Sequence, residues 1–196
     1  MLALPLLAEV GTWVVLGVVG GLSVLILLYA VLVYNGLVSA RMTVRQAWSN
    51  IDVQLKRRHD LIPNLVETVK GYAAHERGTL EEVISARSRA THAGTVPEKA
   101  EAENQLSGAI GRLLAVAEAY PDLKAAANFR ALQEELTSTE NKIAFARQYY
   151  NTEATSYNTR VALFPAVLFA GAMVFTPEPL FELDSPKERQ APQVRF

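Results

Sequence analysis

Residues 10–34 read VGTWVVLGVVGGLSVLILLYAVLVY, a run with no charged side chain. As a helix it is about 37 Å long, against a bilayer hydrocarbon core of about 30 Å, so it is long enough to span with some tilt. A cleaved signal peptide fits less well. Its apolar region is only about 7–15 residues long and follows a basic segment, whereas Met1 to Glu9 contain no Lys or Arg. Trp13 at one end and Tyr29 and Tyr34 at the other suit the two interfaces, because each ring has an apolar body and a polar tip. Residues 1–9 are then expected to be a short tail and residues 10–34 a transmembrane helix. Gly17 and Gly21 form a small-xxx-small pair that lets two helix backbones approach, and are candidate assembly contacts.

The flanks predict an orientation. Glu9 is the one charge before the run, while Arg41 and Arg45 follow it closely and Lys56, Arg57 and Arg58 come later. Positive flanks stay inside, so the N-terminus is expected outside and the C-terminal domain in the cytoplasm.

After Tyr34 the pattern becomes amphipathic. Leu37, Val44, Ala47 or Trp48, Ile51, Leu55, Ile62, Leu65 or Val66 and Val69 recur at intervals of three, four or seven, the face of a long helix. Pro63 inside it predicts a kink. Gly78 followed by Thr79-Leu80-Glu81-Glu82 has capping-box spacing and predicts a break. The turn at 91–97 places Thr95 as the cap of a helix carrying Glu98, Glu101 and Glu103 early and then Leu106, Ile110, Leu113, Leu114 and Val116. Pro121 ends that helix and starts the next. Phe129, Leu132, Leu136, Ile143, Ala146, Tyr150, Tyr157 and Val161 continue the apolar face of a last long helix.

Helices with one apolar stripe bury it against each other. The fold class expected is therefore all-α: an N-terminal transmembrane helix followed by an up-and-down bundle of about four long helices, over residues 35–175. Residues 161–175, VALFPAVLFAGAMVF, are apolar but too short to span. They must dock on the bundle, lie in the membrane interface or face a partner, which makes Phe164, Leu168 and Phe169 further candidate assembly contacts. Residues 176–196 mix Pro with charge and are expected to be disordered.

Composition narrows the function. Of 196 residues, Lys and Arg number 19 and Asp and Glu 20, a formal net charge of -1 that offers no basic field for nucleic acid. There is no cysteine, hence no thiol nucleophile and no Cys-containing metal site. His59, His75 and His92 are the catalytic candidates to test. His75-Glu76 lacks a second His at 79, which is Thr79, so a zinc-protease helix is not formed. Lys56, Arg57 and Arg58 are candidate anion contacts for lipid or phosphate, set against a solvated helix face. Asp52, Asp60 and Glu67 can pair with Arg57, Arg58 or Lys70. Asn104, Asn128, Asn141, Asn151 and Asn158 can fix helix register, and Tyr149, Tyr150 and Tyr157 read as core or interface.

Four blocks together resemble the LemA family of bacterial membrane proteins: residues 47–76 (AWSNIDVQLKRRHDLIPNLVETVKGYAAHE), 103–125 (ENQLSGAIGRLLAVAEAYPDLKA), 128–151 (NFRALQEELTSTENKIAFARQYYN) and 157–165 (YNTRVALFP). The resemblance implies a membrane helix with a helical-bundle domain in a bacterial cell membrane, and it carries over no catalytic residue. The expected function is thus a membrane-anchored scaffold or interaction protein of the envelope, not an enzyme. Its expected partners are the lipid bilayer, further copies of itself and other membrane proteins. No cofactor, metal, small-molecule substrate or nucleic acid is expected. The alternative is a transmembrane signal relay.

Overall fold

The computed structural model describes residues 3–73, 75–171 and 173–182, and their side chains except those of 3–12, 14, 15 and 169. Six helices follow in order: α1 (Ala3–Lys70), α2 (Arg77–His92), α3 (Val96–Ala117), α4 (Pro121–Ala125), α5 (Ala127–Ala162) and α6 (Ala166–Ala170). Among the described residues there is no strand. The chain forms two compact units. The first is Met1–Thr43 with Ser156–Pro177, and the second is Val44–Thr155 with Glu178–Phe196.

The second unit is the helical bundle. Its stripes interlock as the periodicity predicts: Ile62, Leu65 and Val69 of α1 meet Leu80, Val83, Ala86 and Ala90 of α2, Leu106 and Leu113 of α3, Leu123 of α4, and Phe129 and Leu136 of α5 in one core. Burying such side chains supplies about 1.5–3 kcal/mol each relative to exposure, which is what holds these five helical segments together. The short α4 begins with Pro121 at its first helical position, where the missing N–H costs nothing.

Two helix starts are decided by local chemistry. At α3 the box forms as expected: Thr95 Oγ1 accepts from Glu98 N at 3.4 Å, and Glu98 Oε2 accepts from Thr95 N at 3.0 Å. At α2 the expected box at Thr79 does not form. The helix starts one turn earlier, at Arg77, with Glu76 as an N-cap that makes no side-chain cap. Leu80 N already donates to Glu76 O, and the Glu76 carboxylate takes the Tyr120 hydroxyl instead.

Pro63 lies inside α1 and leaves the helix running to Lys70. Proline has no N–H to give the carbonyl four residues back, which is that of His59. Arg87 of α2 fills the vacancy, donating from Nε to His59 O at 2.7 Å.

In the first unit, the side chains of α1 from Leu16 to Tyr34 are almost all exposed; Leu25 is 63% and Leu32 69% accessible. Among the described residues this is the one helix long and apolar enough to cross a membrane. Further along, Leu37, Tyr157, Val161, Ala166, Ala170 and Phe175 are buried. Tyr34 meets Phe175 edge-on with ring centroids 5.6 Å apart, and the buried Tyr157 hydroxyl donates to Thr176 O at 3.1 Å.

The expectation of disorder from Thr176 onward differs from what the chain does. Residues 176–182 have no regular secondary structure but are tied down, and Phe181 is 1% exposed. In the second unit Phe181 packs on Trp48 at 5.6 Å, and Trp48 also packs on Tyr150 at 5.3 Å. Asn151 clamps the backbone of Phe181 from both sides, accepting from its N–H at 2.9 Å and donating to its carbonyl at 3.1 Å. The aromatic side chain and the two amide bonds outweigh the Pro-rich, charged composition around them. The rest of the expected tail, 183–196, lies outside the described residues.

Candidate functional site

The polar feature that stands out in the second unit sits in the core, at the same level on three helices. Arg58 of α1 falls on the apolar stripe between Leu55 and Ile62, Glu103 of α3 one turn before Leu106, and Thr139 of α5 between Leu136 and Ile143. Each is where the three-and-four spacing calls for an apolar residue. All three are buried.

Arg58 is the hub. Its Nη2 donates to Glu103 Oε2, and its Nη1 donates to Ser107 Oγ at 2.8 Å and Glu140 Oε2 at 2.6 Å. Ser107 Oγ in turn donates to Glu140 Oε1 at 3.3 Å. The second oxygen of Glu103 lies 2.8 Å from His59 Nε2. An ionised carboxylate only accepts, so Nε2 is the protonated nitrogen of that ring. Burial pushes the Glu103 carboxyl up, but the His59 hydrogen bond and the Arg58 and His59 charges together hold it below its ordinary value. Two carboxylates thus face one guanidinium, with an imidazole as the fourth member. Glu140 is exposed, but burying Arg58 and Glu103 costs several kcal/mol per ion, recovered only when the hydrogen bonds are nearly complete. Arg58 Nε is the guanidinium nitrogen here without a partner.

Beside this layer is a cleft of about 290 Å³, floored by Arg58, Ser107 and Glu140 and walled by Ile110, Leu114 and Leu136. Arg58 Nη1, Ser107 Oγ and the Glu140 carboxylate at its floor are engaged with each other. The Glu103 carboxylate has both oxygens occupied, so the arrangement fixes α1 against α3.

The anion contacts expected at 56–58 separate into three fates. Lys56 is exposed, and Arg57 is half-exposed and paired with Glu135 of α5. Arg58 is neither a lipid contact nor part of a solvated face: it is buried, and its anions are Glu103 and Glu140. Of the expected carboxylate pairs, Glu67 does meet Lys70, whereas Asp52 pairs with Lys99 of α3 at 2.7 Å. Lys99 also lies over the Trp48 ring, 5.6 Å from its centroid. His59 belongs to the buried layer, and His75 and His92 are exposed. Tyr150 and Tyr157 are core, and Tyr149 is 47% exposed.

In the first unit a Cβ placed on Gly17 or Gly21 would meet nothing within 4 Å, so that face is open. Phe164 and Leu168 are exposed, at 77% and 65%. The side chain of Phe169 lies outside the described set.

Comparison with known proteins now bears on these features. The profile of the LemA family matches residues 47–196. The chain belongs to the LemA family. It is 25% identical over 158 residues to magnetosome protein MamQ of Magnetospirillum gryphiswaldense, an alignment covering 67% of this chain and 58% of MamQ. It is 27% identical, with the same coverage, to magnetosome protein MamQ 2 of Paramagnetospirillum magneticum. Against protein LemA of Metamycoplasma hominis it is 28% identical over 131 residues, 66% of this chain and 60% of that protein. The chain therefore spans well under two thirds of the length of these relatives. The match includes Arg58, His59 and Glu103 of the buried layer and the exposed Glu140 that meets it.

Proposed function

We propose that this LemA protein is a membrane-anchored scaffold of the bacterial envelope, which holds copies of itself and other membrane proteins in place and carries out no chemistry of its own. The observation that carries the reading is the exposed apolar surface of α1 from Leu16 to Tyr29. Lipid is the solvent for such a surface. Two of the relatives are named as magnetosome proteins, names that give a place and no reaction. A bundle whose buried charges are spent on each other fits that role.

Self-assembly within the bilayer is assigned to the Gly17–Gly21 face, where two helices can approach closely. The reading puts the second unit in the cytoplasm, supported by Arg41 and Arg45 following the span. Extraction of bacterial membranes with alkaline carbonate tests the anchor. The protein should stay with the membrane pellet, and release into the supernatant would overturn the reading.

A further inference from the structure

We infer that Leu163–Leu168, the turn before α6 and the start of that helix, forms a second membrane contact that dips into the head-group layer of the same bilayer the α1 span crosses; the inference rests on the anchoring proposed above. Residues 161–177 contain no charged side chain. Within the first unit they divide into two apolar faces. Val161, Ala166, Ala170 and Phe175 are buried, while Leu163, Phe164, Val167 and Leu168 are between 50% and 77% exposed. One face is thus already satisfied by its own unit, and the other has no protein to cover it. An element apolar on all sides belongs in an apolar solvent.

The level of this contact favours lipid over a second copy of the chain. Phe175 touches Tyr34, the last residue of the uncharged run of α1, which places the end of the segment where the span leaves the hydrocarbon. Charge points the same way. After Glu9 the first unit contains no Asp or Glu, and its ionic side chains are Arg41 and Arg160. Arg160, exposed and directly before the apolar segment in sequence, complements anionic head groups, whereas two copies of this surface would set like charges against each other.

The sequence has no cysteine, so single-cysteine variants of the full chain carry one label each. Phe164→Cys, Leu168→Cys, Leu25→Cys in the span and Phe145→Cys on the second unit can be labelled with bimane. They are then reconstituted in phosphatidylcholine–phosphatidylglycerol vesicles containing phospholipid brominated near the head-group end of the chain. Labels at 164 and 168 should lose roughly half of their fluorescence and shift to the blue, as a side chain buried about 5–10 Å into the interface does. The label at 145 should do neither, and the label at 25 should be quenched by lipid brominated deep in the chain. If 164 and 168 behave like 145 while 25 stays quenched, the second contact is wrong and the anchor stands. If 25 is unquenched, the anchor fails and the second contact falls with it. Copper-catalysed disulfide dimers through residue 164, formed with no quenching there, would assign Leu163–Leu168 to a second copy and overturn the inference. Circular dichroism equal to that of the parent chain confirms that each variant is folded.

Discussion

Arg58 and Glu103, each 2% exposed, meet guanidinium to carboxylate between α1 and α3, and neither has solvent to turn to if the other is removed. A buried charge left alone costs about 3–5 kcal/mol. Arg58→Met leaves Glu103 only its contact with His59 and is expected to lower the stability of the bundle toward that amount. Glu103→Gln should cost about 1–3 kcal/mol, because Glu140 remains on Arg58. The double variant should lose less than the sum. Denaturant unfolding of the detergent-solubilised chain, followed by circular dichroism, measures the coupling; strictly additive losses would show that the two side chains act independently.

The same carboxylate gives the fold an acid limit. Glu103 is held below its ordinary value of 4.5 in the folded chain, and the unfolded chain takes up the proton first as pH falls. Its contribution to stability is therefore complete above about pH 4.5 and is lost as pH drops through the lower folded value. Glu98, lowered by its bonds to Thr95 and Gly94, acts in the same direction. Thermal melts taken downward from pH 5 should show Tm falling, and the slope should be shallower in Glu103→Gln. An unchanged slope would place the acid sensitivity elsewhere.

Phe181 is expected to be structural despite its place in a Pro-rich segment. Phe181→Ala removes a buried ring that packs on Trp48 and should cost about 3–5 kcal/mol. Asn151→Ala unpairs the N–H and carbonyl of Phe181 and should cost about 1–3 kcal/mol. Limited proteolysis gives a second readout: both variants should be cut near residue 180 sooner than the parent chain.

Orientation is open to direct labelling. Ala127 is exposed on the second unit, and Ala127→Cys should resist a membrane-impermeant maleimide in intact cells and react after lysis. Labelling of intact cells would reverse the proposed topology.

Self-association through the span predicts that Gly17→Leu with Gly21→Leu, which fill an open face, lowers the native mass in mild detergent while helicity is kept. A parent chain that is already monomeric would remove the assembly proposal.

Most of the fold was legible because apolar periodicity and capping chemistry are local. The stripes, the Thr95 box and the Pro121 start could each be read within a few residues. The buried layer was legible only as gaps. Leu55 to Ile62 and Leu136 to Ile143 are each an interval of seven where three or four is expected, and Arg58 and Thr139 occupy the places between. Read alone, a basic Lys56-Arg57-Arg58 cluster looks solvated, because the carboxylates that make burial of Arg58 affordable lie 45 and 82 residues away. Phe181 was missed for the same reason: its clamp, Asn151, is distant in sequence, and composition reports only neighbours. The start of α2 was misplaced because Thr79 has cap spacing, while the Glu76 that leads the helix is held by Tyr120.

The Arg87 hydrogen bond to the His59 carbonyl has a kinetic consequence. Until α2 docks, α1 is one backbone bond short at Pro63, and after docking the deficit is gone. Helix completion and helix pairing are therefore one event at this point in the chain, and the first turn beyond Pro63 should exchange its amide hydrogens with water at the rate at which α2 detaches, not at the rate at which a helix end frays.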